Sequence, residues 1–349
     1  MEHKARELIE KLDETHFLTE EEYRSLLLGR TESVREAAAK KAVLRAQQVF
    51  GNKIYVRGLM EISNICKNGC HYCGINRENP ACDRYRLTPE QIFSCAQEGY
   101  RLGFRTFVLQ GGEDRWFTDD RLCGIIRHLK EMHPDCAVTL SLGERSKDSY
   151  QRLFDAGADR YLLRHETADE GHYRKLHPED MSFHDRLECL SVLHEIGYQT
   201  GCGFMVGSPY QTVETLAKDL CYIQQFSPEM CGIGPFIPHK DTRFRDFPPG
   251  DVALTCYLLS IIRIMKPNIL LPATTALGTI DPMGREKGIL SGANVVMPNL
   301  SPPDVRDKYM LYNNKLSSGP EAAQNLKDLN ARMESIGYRV VVGRGDYVN

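Results

Sequence analysis

Short β-type runs alternate with helical stretches along most of this chain of 349 residues. Strict alternation predicts an α/β fold with parallel strands, because each helix has to return the chain to the same edge of the sheet. The eight predicted strands cover residues 59–62, 106–110, 137–142, 161–163, 199–206, 232–237, 269–273 and 294–297. A doubly wound open sheet shows a similar alternation, but eight units in about 250 residues favour a complete (β/α)8 barrel of the TIM type. In either fold, the functional residues are expected at the C-terminal ends of the strands.

Both ends of the chain are predicted to flank this barrel. Amphipathic stretches near the N-terminus predict a helical lead-in packed on the barrel, and they cover residues 6–12, 20–28 and 31–50. The predicted segments are the lead-in at 1–51, the barrel at 52–315, and a C-terminal helix and tail at 316–349. The clearest helix start is Thr88-Pro89-Glu90-Gln91, which predicts a capping box. Further helix starts are predicted at Asp119, Ser146, Ser182, Thr212 and Gly250. No repeat, low-complexity run or linker divides the chain, so we expect a single structural unit.

Charge and hydropathy exclude several classes of function. The 44 Lys and Arg residues nearly balance the 47 Asp and Glu residues, so the net charge of -3 gives no general attraction to nucleic acid or an anionic membrane. No run approaches the roughly 20 apolar residues of a membrane helix, and the charged N-terminus lacks the apolar centre of a signal peptide. We therefore expect a cytoplasmic protein whose 12 cysteines are buried thiols plus one metal site, rather than a disulfide framework.

Three cysteines, Cys66, Cys70 and Cys73, form a CxxxCxxC pattern directly after the first predicted strand. Thiolates this close together can surround one soft metal centre, which favours an iron–sulfur cluster or zinc over magnesium or calcium. Zinc, or a fully ligated electron-transfer cluster, would need a fourth ligand, for which His71 and Cys82 are available. The favoured interpretation is a 4Fe-4S cluster on three cysteines, which leaves one iron open and implies chemistry at the cluster.

The surroundings of these cysteines resemble the signature of radical S-adenosylmethionine (SAM) enzymes. Tyr72 precedes the last cysteine, and Gly111-Gly112-Glu113 follows the second predicted strand, where that superfamily places a segment for the cofactor amine. The resemblance implies one 4Fe-4S cluster on Cys66, Cys70 and Cys73, with SAM as the second cofactor. In that superfamily the open iron binds the amino and carboxylate groups of SAM, and one electron from the cluster cleaves its sulfonium to give a 5′-deoxyadenosyl radical.

Within the superfamily the chain is most similar to the HydE family, which matures the active site of FeFe-hydrogenase. The similar stretches are 84–90, 108–114, 139–144, 159–167, 232–239, 272–276 and 292–299. The resemblance implies catalytic roles for Cys66, Cys70, Cys73, Arg164 and Glu166. It also implies that SAM is contacted by Tyr72, Gly111, Gly112, Glu113, Ser141, Arg164, Glu166 and Arg186, with Met205 as a flexible wall against the adenine.

The spacing of Arg164 and Glu166 bears on their role independently. They lie two residues apart at the end of the fourth predicted strand and therefore point the same way, while His165 between them points the other way. An ordinary ion pair is one interpretation. At the end of a barrel strand, however, an Arg also suits a carboxylate, and a Glu suits ribose hydroxyls or an ammonium group.

A further set of six residues matches positions that line the internal cavity of the HydE family and its anion- or carboxylate-binding floor. They are Thr139, Arg160, Thr274, Thr275, Tyr309 and Tyr312. Polar groups inside an otherwise apolar barrel need a ligand or one another, because an unpaired buried group costs roughly 1 to 3 kcal/mol. The set predicts a polar substrate in an enclosed cavity.

Other cysteines and one tripeptide are assigned no chemistry. Some HydE members carry a second cluster on three cysteines near the C-terminus, but residues 302–315 contain no cysteine, so we expect a single cluster. Cys136 and Cys202 are interpreted as core residues. Arg344-Gly345-Asp346 resembles an adhesion tripeptide and is interpreted as having no function.

The HydE resemblance implies a small substrate in hydrogenase active-site (H-cluster) assembly, either a cysteine-derived sulfur compound or an iron-cysteine carbonyl cyanide complex. It also implies a reducing electron donor and other hydrogenase maturation proteins as partners. Two alternatives within the superfamily are an amino-acid mutase like methylornithine synthase and an enzyme like biotin synthase. An alternative of a different class is a non-catalytic iron–sulfur carrier, which predicts no cofactor site, whereas Arg164 and Glu166 predict one.

Overall fold

The computed structural model describes residues 1–317 and 322–348, so residues 318–321 of the predicted C-terminal segment, and residue 349, lie outside the described residues. Its strands are β1 (Lys53–Val56), β2 (Gly58–Ser63), β3 (Thr106–Gly111), β4 (Ala137–Ser141), β5 (Arg160–Leu162), β6 (Gln199–Cys202), β7 (Met205–Val206), β8 (Met230–Cys231), β9 (Gly234–Pro235), β10 (Val295–Val296) and β11 (Arg339–Val341). Its α-helices are α1 (Glu2–Thr15), α2 (Glu20–Leu28), α3 (Glu32–Phe50), α4 (Pro89–Arg101), α5 (Asp119–Met132), α6 (Lys147–Asp155), α7 (Glu170–Leu176), α8 (Phe183–Ile196), α9 (Val213–Phe226), α10 (Val252–Met265), α11 (Thr275–Ile280), α12 (Gly284–Ile289), α13 (Pro303–Arg306) and α14 (Leu326–Ser335).

Six strands form one parallel sheet in the order β2-β3-β4-β5-β6-β8, as the strand–helix alternation predicts. Beyond this sheet the pairing continues as isolated parallel bridges, which join Met230 to Leu270, Pro272 to Val295, and Asn299 to Leu59. The predicted strand at 269–273 therefore contributes bridges only. The α/β fold with a parallel sheet is confirmed, but the strands of the described residues do not form one continuous eight-stranded ladder.

A second parallel sheet has the order β10-β1-β11, and the eight predicted strands include neither β1 nor β11. β1 pairs through Tyr55 with Val295 on one side and through Lys53 with Arg339 on the other. The described part of the C-terminal segment is thus α14 followed by a strand, and β11 lies in what the sequence predicts as a tail after the helix. β11 has three residues and none is fully buried, so it carries no apolar alternation by which it could be recognised.

Glycines interrupt the strands at two places, of which only the first lies inside a predicted strand, since β8 precedes the predicted strand at 232–237. Residues 199–206 form β6 and β7, with Gly203 between them at φ +150°. A Cβ at Gly203 would lie 2.1 Å from the carbonyl oxygen of Gly232, so the two backbones approach too closely there for any side chain. Gly232 in turn lies between β8 and β9. Beyond these glycines, β7 and β9 pair with each other in a separate two-stranded sheet.

Several helices begin at the polar residues that the sequence predicts. Thr88 accepts a hydrogen bond from the amide of Gln91, and the Gln91 side chain accepts one from the amide of Thr88, which completes the predicted capping box. Side-chain caps on α6, α8 and α9 come from Ser146, Ser182 and Thr212. α10 begins at Val252 with Asp251 as its cap, close to the predicted start at Gly250.

The N-terminal helices pack on the outside of α9 and α10. The Tyr23 hydroxyl donates to Gln224 at 2.7 Å, and the Tyr257 hydroxyl donates to the carbonyl oxygen of Leu26 at 3.2 Å. Because α3 covers the outer side of α10, residues 257–265 are all buried. None of the helices formed by the described residues is both long and apolar enough to cross a bilayer.

Candidate active site

The C-terminal ends of the central strands, which we call the mouth, surround a cavity of about 320 Å³. Its lining comes from the loop after β2, from the ends of β3, β4 and β5, and from residues 234–237, 274–276 and 309–312. Segments far apart in the sequence therefore meet at one place. This is the end of a parallel sheet at which functional residues are expected.

Cys66, Cys70 and Cys73 lie on the loop after β2, and all three line the cavity, whereas Cys82 does not. Within the described residues, no three His, Cys, Asp or Glu side chains are grouped closely enough to hold a single metal ion. A 4Fe-4S cluster makes a different demand, because each thiolate binds a different iron atom and the thiols need only face a common space. The residues present fit that cluster.

Burial raises the pKa of each of the three thiols, that of Cys73 to about 12. The metal-free thiols are therefore protonated near neutral pH. Since the thiolate is the ligand, binding of metal has to release a proton from each cysteine.

Arg84 contacts the backbone of the cysteine loop at several points. Its guanidinium donates to the carbonyl oxygens of Asn64, Ile75 and Asn76 at 2.6 to 2.7 Å. Because a guanidinium presents its donors in a rigid fork, one side chain can join the start of the loop to its far end. Arg84 is not among the predicted site residues, although it lies in a stretch that is similar to the HydE family.

The Gly-Gly-Glu segment packs directly against the cysteine loop. A Cβ at Gly112 would lie 2.3 Å from the carbonyl oxygen of Ile65 and 2.8 Å from the Cβ of Cys66, so only glycine permits this approach. The amide of Glu113 donates to the Cys66 sulfur at 3.4 Å, and the Glu113 carboxylate lies 2.9 Å from the Lys67 ammonium. The predicted cofactor segment and a predicted cluster ligand are therefore neighbours.

Arg164 and Glu166 line the cavity together, as their spacing predicts. Nη2 of Arg164 lies 3.3 Å from Oε2 of Glu166. Both atoms, and also Nε of Arg164, are buried and make no hydrogen bond to any described residue. The two side chains form an ion pair, but buried polar atoms without hydrogen bonds cost about 1 to 3 kcal/mol each, so the pair is also suited to a polar ligand.

Arg186 reaches the site from α8 and lines the cavity, as does Ser141. Its Nη1 donates to the carbonyl oxygen of Arg164 at 3.1 Å, and its Nε donates to the Glu144 carboxylate. Burial acts to lower the pKa of Arg186, but the groups facing it, with Glu144 the strongest of them, together hold that pKa well above its usual value. Glu144 is not among the predicted site residues. Its role depends on Arg186, which follows it in the chain by 42 residues.

Tyr72 and Met205 form part of an apolar wall whose other buried members include Leu176, Phe236 and Phe244. The adenine contact predicted for Met205 stays a prediction. The Tyr72 hydroxyl lies 3.4 Å from Nε2 of His177, a residue that the sequence did not indicate. Burial lowers the pKa of His177 to about 3, so its imidazole is neutral near pH 7.

Four of the six residues predicted for the inner cavity line it, namely Thr274, Thr275, Tyr309 and Tyr312. Gln110 lines it as well, and its amide donates to the Tyr309 hydroxyl at 3.4 Å. Thr139 lies two residues before Ser141 on β4, further from the mouth and outside the lining. Its hydroxyl is buried and has no hydrogen-bond partner among the residues that the structure describes.

Arg160 is not brought to the cavity. It is the first residue of β5 and therefore lies where the strands begin, at the end of the sheet opposite the mouth. Its nitrogens donate to Gln199, to Thr106, to the carbonyl oxygen of Arg344 and to the carboxylate of Asp346. A guanidinium whose nitrogens are all occupied by protein groups cannot serve a ligand in the cavity. The tripeptide Arg344-Gly345-Asp346 thus has a structural role at this end.

A buried ion pair that the sequence analysis did not predict lies beside the inner cavity. The Lys315 ammonium is 2.7 Å from Oε1 of Glu61, a fully buried residue of β2. The Asn299 amide donates to the other Glu61 oxygen at 3.0 Å, and the Lys315 ammonium lies over the Tyr309 ring. The sequence signal for this ion pair is an acidic residue within an otherwise apolar strand, because a buried carboxylate needs a partner.

Comparison with known proteins identifies the family of this chain. The model of the radical SAM superfamily matches residues 60–221. Among curated proteins, the chain is similar to the FeFe hydrogenase maturase subunit HydE of Thermotoga maritima, with 44% identity over 312 residues, which cover 89% of this chain and 88% of that protein.

Two solved structures are similar over most of the chain. Methylornithine synthase (PylB) has a TM-score of 0.81 and 25% identity, and the match covers 96% of this chain and 97% of that one. HydG, a maturase of the FeFe-hydrogenase, has a TM-score of 0.80 and 20% identity, with 98% and 77% covered. At that identity the HydG match shows the fold alone.

Proposed function

The chain belongs to the radical SAM superfamily and, within it, to the HydE family of FeFe hydrogenase maturases, and from this premise we propose that it cleaves SAM at one 4Fe-4S cluster. It is an enzyme with a hydrogenase maturase role. The observation that carries the proposal is the pair Arg164 and Glu166, whose buried polar atoms lack hydrogen bonds within the described chain and face the same cavity as the three cysteines. Such atoms indicate a ligand beside the thiols.

The thiols of Cys66, Cys70 and Cys73 would hold the cluster, in the cavity they line together. When bound, the cluster and SAM together supply a 5′-deoxyadenosyl radical. Arg84 keeps the loop in one shape through three carbonyl contacts, so the thiols remain on the same side of the loop without metal. The loop is thereby prepared for the cluster.

The remaining site residues are proposed to bind and orient SAM. The Nε and Nη2 atoms of Arg164 are available to a carboxylate, which a guanidinium fork binds through two parallel hydrogen bonds. Glu166 suits the ribose hydroxyls or the ammonium group, and Glu113, beside Cys66, suits the ammonium group. Arg186 holds the backbone of Arg164 by donating to the carbonyl oxygen of Arg164. The apolar wall at Tyr72 and Met205 packs the adenine and excludes water.

The substrate is proposed to occupy the inner part of the cavity. Its chemical class is a small cysteine-derived sulfur compound or an iron-cysteine carbonyl cyanide complex. The hydroxyl groups of Thr274, Tyr309 and Tyr312 support a polar substrate, and enclosure by the strands supports chemistry that must be shielded from water. The similarity to methylornithine synthase along nearly the whole chain supports an amino-acid mutase as the second candidate.

We also propose that the maturase acts in the cytoplasm with a reducing electron donor and with other hydrogenase maturation proteins. The chain is proposed to form a single structural unit, in which residues 1–51 and 316–349 pack on a barrel of residues 52–315. The isolated bridges at Leu270, Pro272 and Asn299 support closure of that barrel beyond the six-stranded sheet.

The test is reductive cleavage of SAM by anaerobically reconstituted protein, with iron counted per chain and products compared with and without the iron-cysteine carbonyl cyanide complex. We expect about four irons per chain, 5′-deoxyadenosine as background, and a new adenosylated product when the complex is added. Cleavage with no response to the complex would leave the SAM chemistry in place and move the substrate assignment to an amino acid. Four irons without any cleavage would instead support an iron–sulfur carrier.

A further inference from the structure

Glu166 has an unusual backbone conformation for a side chain of its type. Its φ angle is +65°, in the left-handed region that glycine adopts readily and that a branched or long side chain adopts only when its surroundings impose it. The residue is buried and lies directly on the cavity. Something next to Glu166 must therefore hold the turn in place.

On the N-terminal side of Glu166, the turn is joined to the loop between β6 and β7. The amide of Glu166 donates to the carbonyl oxygen of Gly203 at 3.0 Å. The amide of the same glycine donates back to Nδ1 of His165 at 3.2 Å. His165 and Glu166 therefore bind both backbone groups of one residue, Gly203.

On the C-terminal side, the turn is joined to α9. The amide of Ala168 donates to Oδ1 of Asp219 at 2.5 Å. Nε2 of His165 lies 3.4 Å from the same oxygen, and the side chains of His165 and Asp219 are both completely buried. Asp219 thus touches both sides of the turn that carries Glu166.

The hydrogen bonds also define the state of the histidine. Because Nδ1 of His165 accepts the Gly203 amide hydrogen, the proton of the neutral imidazole belongs on Nε2, which faces Asp219. The ring is packed between the aromatic rings of Phe204 and Tyr222, with centroids at 5.8 and 4.7 Å. Its orientation is therefore determined by both polar and apolar contacts.

We propose that His165 and Asp219 are positioning residues, which hold Glu166 in its left-handed turn and so determine where its carboxylate stands in the cavity. The pair lies outside the cavity and touches neither the thiols nor the cavity space. Its effect on SAM rests on the proposed function, in which Glu166 contacts the cofactor. Its effect on the backbone does not.

The backbone effect can be measured without SAM, through the choice between glycine and alanine at position 166. With His165 present, we expect Glu166→Gly to melt about 1 to 3 °C above Glu166→Ala, because glycine tolerates a positive φ and alanine does not. With His165→Leu in the same chain, the turn is free to relax, and we expect the advantage of glycine to disappear or reverse. An unchanged advantage would overturn the proposal.

Two variants serve as matched controls. His165→Asn keeps an acceptor near the position of Nδ1 and should preserve the advantage of glycine. His172→Leu removes another buried histidine of the same segment, which contacts Thr167 and the carbonyl oxygen of Pro209 instead of Gly203. It should lower the melting temperature of both position-166 variants equally. If His172→Leu also abolished the advantage of glycine, the effect would be general loosening and the role of His165 would be refuted.

A second measurement, equilibrium dialysis of SAM against the reconstituted protein, separates this proposal from the proposed function. We expect His165→Leu to weaken SAM binding by about 3- to 10-fold and to add little when Glu166→Ala is already present, since residues in one unit are not additive. If Glu166→Ala leaves SAM affinity unchanged, the cofactor role of Glu166 fails, while the melting comparison still decides whether His165 holds the turn. Strictly additive losses would count against positioning.

Discussion

Two arginines near β5, one at each end of the central sheet, have opposite surroundings. Arg164 follows the strand at the mouth, where its Nε and Nη2 have no hydrogen-bond partner among the described residues. Arg160 begins the strand at the end of the sheet opposite the mouth, which we call the closed end, and each of its side-chain nitrogens donates to a protein group. The residue type is the same and the separation is four positions. The difference lies in what the rest of the chain brings to each end.

Arg57 shows that the closed end also depends on charge. Its Nη1 contacts the Met230 sulfur at 3.1 Å, while its other two nitrogens make no hydrogen bond to a described residue. Burial, and then Arg160, lower the pKa of Arg57, and Asp346 opposes them. One carboxylate from the C-terminal tail therefore faces two buried cations. Arg164 differs from Arg57 in that it also lines the cavity, where a ligand can reach its unpartnered nitrogens.

The largest expected effect tests whether the mouth holds a cluster. Cys70→Ala should remove bound iron and reduce SAM cleavage to background, because the cluster loses one of three protein ligands. The measurements are iron per chain after anaerobic reconstitution and 5′-deoxyadenosine formed. Cys82→Ala is the matched control, since Cys82 belongs to the same loop but lies outside the cavity lining, and it should behave like the natural chain. Normal iron and cleavage in Cys70→Ala would refute the cluster assignment.

The second effect tests the two arginines directly. Arg164→Gln should weaken SAM binding by about 10- to 100-fold, the equivalent of one or two charge-assisted hydrogen bonds, with little change in the free energy of unfolding. Arg160→Gln should lower the free energy of unfolding and leave SAM affinity nearly unchanged, since the contacts of Arg160 are all within the protein. Equilibrium dialysis and urea unfolding, performed on both variants, give the comparison. Equal effects of the two substitutions on SAM affinity would abolish the distinction between the two ends.

The third effect concerns the tail. Asp346→Asn should lower the free energy of unfolding by about 1 to 3 kcal/mol, because Arg160 is fully buried and loses its charged partner, while the half-exposed carboxylate limits the loss. Asp246→Asn is the control, since that carboxylate is 88% exposed in its pair with Arg245 and should change stability by less than about 0.5 kcal/mol. Urea unfolding of the metal-free protein measures both. Comparable values for the two variants would show that the closed end is not held by charge.

The smallest effect is the pH dependence of that difference. Burial acts to raise the pKa of Asp346, but Arg344 and Arg160 bring it below its ordinary value. A carboxyl group whose folded pKa is lowered contributes stability above its unfolded pKa, near 3.9, and loses that contribution as the pH falls through the folded value. The gap in unfolding free energy between the natural chain and Asp346→Asn should therefore be full at pH 7 and shrink below about pH 4. A gap that does not change with pH would exclude the charge of Asp346 as its cause.

The mouth was more predictable from sequence than the closed end because its signals are local. Cys66, Cys70 and Cys73 lie on one loop, and Arg164 and Glu166 lie two residues apart, so the members of each group are neighbours in the chain before it folds. The contact between Arg160 and Asp346, by comparison, joins residues 186 positions apart. The match to a HydE-family position predicted that Arg160 lies in the cavity. Because Arg160 is the first residue of β5, it lies instead at the end of the sheet opposite the mouth.

Several supporting residues had no signal that a sequence could reveal. Glu144 contacts Arg186, 42 positions away, and His177 contacts Tyr72, 105 positions away. Asp219 contacts the turn at Ala168, 51 positions away. The positive φ of Glu166 is likewise imposed by Gly203, His165 and Asp219 and not by its own residue type. Such contacts depend on how strands and helices are brought together.

By itself, the sequence determined the alternation of strands and helices, the parallel sheet, the helix caps such as Thr88, and the loop with three thiols. These features depend on residue type and on spacing within about ten positions, and local periodicity, capping and chain geometry act at that range. Only the tertiary structure decided which polar groups are satisfied and which are left for a ligand, as Arg160 and Arg164 show. The reason is that burial and hydrogen-bond partners come from segments far apart in the chain, and a group's surroundings exist only once those segments have packed.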